Sequence, residues 1–332
     1  LGLRPSRGDK IRAIGDRHRC GSKFCGATMY LCRMHSTDTS LQRSLSFMVL
    51  ASLMFALTGA IARLLKDDYA SVHLVLFRNV IGVVFVLYWL YSKPPQQQGG
   101  RPWLLLFRGF IGTMALYFFF YGVTTIGLPE SITYQQSYPI FLALISSFWL
   151  GQRLNSAAWT AITVGFVGLC LIFVPKMSSH ALEVKSHLIG IANLLMTGMA
   201  YLSIRGLTKY YDNRTIVLSF MLCGIAFPIL SMLLSTVYKG QTLDFIIAPP
   251  VVPQWADLPL ILCLGIAALL GQVFLTNAFS HRNTGLIGAV GYSNIVFSIF
   301  FGVMIGDAMP DTTSLIGIVL IIMSGVVISM QK

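Results

Sequence analysis

Ten stretches of the chain run apolar with few or no charges, at about 45–65, 69–91, 103–126, 131–150, 156–174, 187–207, 215–238, 256–280, 285–305 and 312–330. Each is long enough to cross a hydrocarbon core of roughly 30 Å at about 1.5 Å per residue. The apolarity is continuous within each run and does not alternate. Only helices and closed barrels satisfy their backbone inside lipid, so continuous runs predict ten membrane-spanning helices. Residues 1–43 break the pattern: they are basic, lack helical periodicity and hold no apolar core of about 7–15 residues ahead of a small-residue cleavage site, so they are not a secretory signal. They are expected to be a disordered basic tail, or upstream sequence with the true start at Met29 or Met34.

The pattern repeats. At an offset of 142, FALTGAIARLLKDDY (55–69) lies over TGMAYLSIRGLTKYY (197–211), which pairs Arg63 with Arg205. At an offset of 155, spans three to five lie over spans eight to ten without gaps, and SYPIFLALISSFWLGQRL (137–154) meets YSNIVFSIFFGVMIGDAM (292–309). The extra 13 residues fall in the loop QTLDFIIAPPVVPQW. An odd number of helices per half places the halves oppositely in the membrane. The expected fold is therefore an all-α membrane protein of ten transmembrane helices in two inverted five-helix repeats, 44–174 and 187–330, joined by a linker at 175–186. Inverted repeats are a signature of secondary transporters, whose site lies near the midplane between the halves.

Composition agrees. The chain is 55% hydrophobic and 11% charged, against about 25% charge in soluble domains. The net charge of +12 does not point to nucleic acid, because half of it sits in residues 1–43 and the rest in loops. With both termini cytoplasmic, the inner side receives Arg43, Lys93, Arg101, Arg108, Arg153, Arg205, Lys209, Arg214, Arg282 and Lys332, and the outer side only Arg63, Lys66, Lys176, Lys185 and Lys239. That bias predicts a multi-pass inner-membrane protein in this orientation.

One stretch also carries a family likeness. FYGVTTIGLPESITYQQSYPIFLALISSFWLGQRLN resembles the EamA type of the drug/metabolite transporter (DMT) superfamily through Tyr121-Gly122-Val123, Leu128-Pro129, Pro139-Ile140-Phe141 and Gly151-Gln152-Arg153-Leu154. ALLGQVFLTNAF (268–279) through GDAMPDTTSLIGIVLIIMSGVVI (306–328) resembles the closing segment, so the likeness spans about residues 44–330. Gln152 and Asp307 stand where the family often has Glu. The resemblance implies a carrier of small organic metabolites such as amino acids, nucleoside-type molecules, vitamins or toxic by-products.

Candidate chemistry is sparse. No G-x₄-G-K-[ST] loop, catalytic Ser-His-Asp set or metal-ligand cluster occurs in the spans, so no enzyme, cofactor or metal is expected. His18, Cys20, Cys25, Cys32 and His35 miss the spacing of a zinc site. Arg78 is the charge deepest in a span, about nine residues into span two or roughly 14 Å from its outer edge, and its repeat mate is Phe220. At midplane an arginine costs about 2.5–3.5 kcal/mol on insertion scales, so it should face the protein interior. There it either pairs a substrate carboxylate or phosphate, or bonds carbonyls of a neighbouring helix.

Span four carries Glu130, Tyr134 and Tyr138 at four-residue intervals on one face, with Gln135 and Pro139 beside it. Pro139 removes a backbone donor and should kink the helix. Span nine carries Gly285, Gly288 and Gly291, which suit close helix packing, followed by Tyr292 and Asn294 as cavity residues. Thr113, Tyr117 and Tyr121 recur every four residues in span three, where at the offset of 155 Tyr117 aligns with Gln272 and Tyr121 with Thr276 of span eight, and Asn193, Thr197 and Tyr201 repeat the spacing in span six. These faces line one cavity or else bond helix to helix. No carboxylate lies at mid-membrane, so exchange or facilitated movement is favoured over strong proton coupling, with Glu130 the one acid candidate.

The expected function is secondary transport of a small organic metabolite by alternating access. The expected partners are a small-molecule substrate and the lipid bilayer, with no nucleic acid. Spans five and ten offer either a homodimer surface or a lipid-facing one. A translocase of lipids or lipid-linked intermediates, and a non-transporting sensor or assembly protein, are the other readings the sequence leaves open.

Overall fold

The computed structural model describes residues 22–95, 99–141, 155–177, 181–238, 243–279 and 284–330. The chain divides into two compact units, residues 1–43 and 44–332. Of the first unit, residues 22–43 are helical where a disordered tail was expected, while residues 1–21 lie outside the described residues.

The described residues are helical, connected by turns and short irregular segments. In chain order the helices are α1 (Ser22–Leu64), α2 (Ser71–Ser92), α3 (Pro102–Thr125), α4 (Leu128–Gln136), α5 (Ser156–Met177), α6 (Ala181–Leu207), α7 (Asn213–Leu234), α8 (Leu258–Phe279), α9 (Thr284–Gly291), α10 (Ser293–Met304) and α11 (Thr312–Met330). Among the described residues, seven stretches are long and apolar enough to cross a membrane: Gln42–Leu64, Ser71–Ser92, Pro102–Thr125, Val184–Ile204, Asn213–Leu234, Leu258–Phe279 and Ile287–Met304. Ser156–Ile172 and Thr312–Ile328 are shorter apolar helices. The expected fourth span runs through residues 142–150, outside the described residues, as does the turn Gly151–Leu154.

Two turns depend on glycine. Gly127, between α3 and α4, has φ +114°, and Gly306, after α10, has φ +93°. Backbone of this kind is strained for residues with a Cβ. Gly127 lets the chain reverse and re-enter the helix bundle at Pro129, which sits in the first turn of α4, where its missing N–H costs nothing.

Helix breaks recur at matched places. α4 stops at Gln136, Ser137 is a turn residue and helix resumes at Tyr138; α9 stops at Gly291, Tyr292 is a turn residue and α10 follows. The kink expected at Pro139 thus falls two residues earlier, because proline has no N–H to return to the carbonyl one turn back. In both breaks an amide bonds three residues back, Ile140 to Ser137 (3.2 Å) and Ile295 to Tyr292 (3.0 Å). This frees the Gly291 carbonyl, which accepts from Gln136 Nε2 (2.5 Å) and Ser52 Oγ (3.4 Å). The two broken helices are therefore stitched together at their breaks.

Close helix contacts use small residues, the usual means of association in lipid. A Cβ on Gly168 of α5 would lie 2.8 Å from the Gly317 carbonyl oxygen of α11, and one on Gly317 would lie 2.7 Å from the Gly168 oxygen. Gly291 abuts Met48, in keeping with a packing role; Gly288 is buried, and the surroundings of Gly285 lie outside the described residues.

Candidate functional site

A narrow cavity of about 50 Å³ lies between α1, α2, α3, α4, α6, α7 and α8. Of the residues expected to bind solute, Arg78, Gln135, Tyr201 and Gln272 line it, together with Thr58, Thr197 and Phe220. Arg108 lines it too. This corrects the charge count, which placed Arg108 among the inner loop charges. α3 begins at Pro102, so Arg108 is already six residues inside the helix, and it is only 2% exposed.

Arg78 is equally buried, at 2%. Its guanidinium carbon lies 5.9 Å from the Phe120 ring centroid and 6.0 Å from that of Phe220; the Arg108 guanidinium carbon sits 4.6 Å from the same Phe220 ring. Aromatic faces attract cations but accept no full hydrogen bond in the fork geometry arginine offers. Nε and Nη2 of Arg78, and Nε and Nη1 of Arg108, are buried without a hydrogen-bond partner. Among the described residues, the cavity lining contains no carboxylate.

The remaining expected residues fall elsewhere. Tyr138 packs edge-on against Tyr201, ring centroids 4.9 Å apart, and so backs the cavity wall. Tyr134 turns the other way and shares a hydrogen bond with His187 Nδ1 (2.9 Å). Tyr117 bonds Ser231 Oγ (3.1 Å), and Tyr121 donates to Asp244 Oδ2 (3.4 Å). Asn193 accepts from Thr197 (3.1 Å). Tyr292 is buried against Gly325, and Asn294 is buried with its Oδ1 unpartnered.

One turn along α7 and α8 from Phe220 and Gln272, residues Val217 and Thr276 line a wide vestibule of about 770 Å³. Trp89, Lys209, Tyr210, Asp212 and Arg214 are among the other residues of its wall. Arg214 bonds Asp212 (2.7 Å) and holds that carboxyl below its ordinary range. The vestibule therefore opens at the end that carries the C-termini of α2 and α6 and the N-terminus of α7.

The opposite end is cross-linked. Arg63 Nε bonds Asp307 Oδ1 at 2.9 Å, and its Nη1 donates to the carbonyls of Val123 (2.9 Å) and Thr124 (2.7 Å). Asp307 also accepts from the Leu128 amide (3.3 Å). Glu130 belongs to this cluster: the Cβ position of Gly127 would lie 3.1 Å from Glu130 Oε2 and 3.9 Å from Asp307 Oδ2. The loop between α7 and α8 folds over the same end. Tyr69 donates to Asp257 (2.7 Å), His73 Nε2 meets the Pro249 carbonyl (2.7 Å), Ser71 donates to Phe245 (3.2 Å), and Lys185 pairs with Asp244.

A solved crystal structure matches this fold with a TM-score of 0.58 over 87% of this chain and 96% of that one, at 16% identity. In sequence, the chain is 29% identical over 295 residues to an uncharacterized transporter of Helicobacter pylori strain J99, covering 86% of this chain and 94% of that protein. It is 28% identical over 288 residues to the pseudopaline exporter CntI of Pseudomonas aeruginosa strain UCBPP-PA14, covering 86% and 95%. Residues 42–174 match the EamA-like transporter family. That match covers the first part of the chain, and the similar proteins that align along most of its length are named as a transporter and as an exporter.

Proposed function

We propose that the chain is a secondary transporter that carries a small organic metabolite by alternating access. The observation that carries this reading is a polar cavity approached by a vestibule from one end and latched by Arg63–Asp307 at the other. A carrier caught between turnovers needs this asymmetry, since a site open to both sides would leak. Arg78, Gln135, Tyr201 and Gln272 contact the solute in this reading, with Tyr138 fixing the Tyr201 ring.

Two inverted five-helix repeats, 44–174 and 187–330, supply the rocking halves, with 175–186 as the linker. Four observations support the repeat. The helix breaks at Ser137 and Tyr292 are 155 positions apart, the offset at which the sequence aligns with itself. Gln136 donates to Gly291, its own mate at that offset. Helix contacts also exchange under the repeat, α3 with α7 matching α8 with α2, while α2 with α7 and α5 with α11 map onto themselves. The family match ends at residue 174, where the first repeat would end.

In the inner membrane with both termini cytoplasmic, the vestibule opens inward beside Lys93, Lys209 and Arg214, and the Arg63–Asp307 latch faces outward. Glu130, which borders the Gly127 turn as Asp307 does, is the acid candidate for proton coupling in this reading. Related proteins named as a transporter and as an exporter support a small-molecule cargo.

Counterflow by the purified protein in proteoliposomes, across labelled amino acids, nucleosides and vitamins, tests the reading. The expected result is saturable uptake of one class, with the half-saturation concentration raised about 5- to 10-fold in Gln272→Ala, the worth of one hydrogen bond. Folded protein that exchanges no solute in any class would overturn it.

A further inference from the structure

We infer that the central cavity takes a small organic dianion, its two negative charges held by Arg78 and Arg108, whether they sit on two carboxylates or on one phosphate that both arginines share. The inference deepens the transport reading and rests on it. Two guanidiniums, each 2% exposed, line one cavity and flank one phenyl ring, Phe220, at 6.0 and 4.6 Å. Two nitrogens on each are buried with no acceptor. Buried charge of this kind is strongly unfavourable unless paired and hydrogen-bonded. Protein interiors ordinarily supply the carboxylate, as Asp307 does for Arg63 and Asp212 for Arg214.

Among the described residues the lining holds no acid; Glu130 and Asp307 lie at the latch, and Asp212 in the vestibule is paired with Arg214. The missing partner is therefore something that enters. A planar arginine fork matches carboxylate and phosphate oxygens in pairs. Gln135, Gln272, Thr197 and Tyr201 offer uncharged donors and acceptors for the middle of the solute. Two forks without a protein anion select against a neutral or cationic solute, because either would leave both charges unpaired.

A dicarboxylate and a phosphate monoester both supply this chemistry, and the experiment separates them. Binding to the purified protein is measured by calorimetry and thermal shift with glutarate, its half-amide glutaramate, its diamide glutaramide, and glycerol phosphate against glycerol. Glutarate or glycerol phosphate is expected to bind saturably, glutaramate more weakly, and glutaramide and glycerol not at all. Arg78→Gln and Arg108→Gln should each weaken dianion binding about 10- to 100-fold, the worth of a hydrogen-bonded charge. Arg78→Lys and Arg108→Lys retain charge without the fork and serve where a glutamine variant fails to fold; each should fall between.

Glutaramide binding as well as glutarate, dianion binding unchanged in both arginine variants, or no dianion binding to folded protein would overturn the inference. The two readings fail separately. Counterflow of a neutral solute that survives Arg108→Gln would leave transport standing and sink the dianion site. Arginine-dependent dianion binding without any counterflow would support the site and sink transport.

Discussion

Asp307→Asn is expected to open the latched end of the bundle and expose the cavity there. Asp307 and Arg63 are partly buried, their side chains 13% and 17% exposed, and Arg63 bridges three partners at once: Asp307 and the carbonyls of Val123 and Thr124. Neutralising the aspartate strands the arginine and loosens the Leu128 amide as well. Removing one member of a buried pair costs about 3–5 kcal/mol, so this less buried pair is worth about 2–3 kcal/mol to the latched state. That corresponds to a shift of about 30- to 150-fold in the balance between latched and open forms. The readout is Thr58→Cys, a cavity position, in a background without other cysteines, labelled by an impermeant maleimide from the latch side. Labelling should accelerate by that factor in Asp307→Asn and return most of the way in Asp307→Glu. Labelling at the parent rate in a folded Asp307→Asn protein would mean that the pair holds the turn together but does not gate it.

The latch shows where sequence reading reaches its limit. Arg63 and Asp307 are 244 positions apart, and neither position carries a pattern that names the other. What sequence offered was local or periodic: the apolar runs, an offset of 155 that also separates the turn residues Ser137 and Tyr292, and candidate solute contacts of which Arg78, Gln135, Tyr201 and Gln272 line the cavity. Four-residue spacing in span four misled in one respect. Across the break at Ser137, Tyr134 meets His187 and Tyr138 meets Tyr201, so only Tyr138 packs against a residue that lines the cavity.

The tyrosines of α3, expected to line the cavity or to bond helix to helix, are not among its lining residues, and period alone does not name the neighbour. Tyr121 found Asp244 in a loop that has no period of its own. Arg108 was hidden by its nearness to a helix end, where arginines normally face water. A signal was present: Gly109 and Gly112 follow it, and the guanidinium folds back along α3 over the missing side chain of Gly112. An arginine followed by a glycine one turn on can lie down inside a bundle instead of reaching out of it.

Gly168 and Gly317 set the second large effect, on stability and not on transport. Each glycine's absent Cβ points at the other's carbonyl oxygen, at 2.8 and 2.7 Å, well inside contact distance, and the obstructing atoms are backbone. No rotamer change relieves such a clash, so α5 and α11 must move apart. In lipid, tight van der Waals contact is much of what holds two apolar helices together, and displaced helices meet acyl chains as readily as each other. Gly168→Ala and Gly317→Ala are each expected to cost about 1–3 kcal/mol by overpacking, seen as a drop of roughly 3–10 °C in detergent melting. Gly206→Ala, whose nearest contact would be Leu104 Cδ2 at 3.4 Å, should leave melting nearly unchanged and is the control. Neither α5 nor α11 contributes a residue to the central cavity, so the surviving folded Gly168→Ala protein should keep its counterflow rate per molecule. Equal loss of rate and of folded protein would instead make the α5–α11 contact part of the moving machinery, a hinge between the two halves that the cavity alone does not reveal.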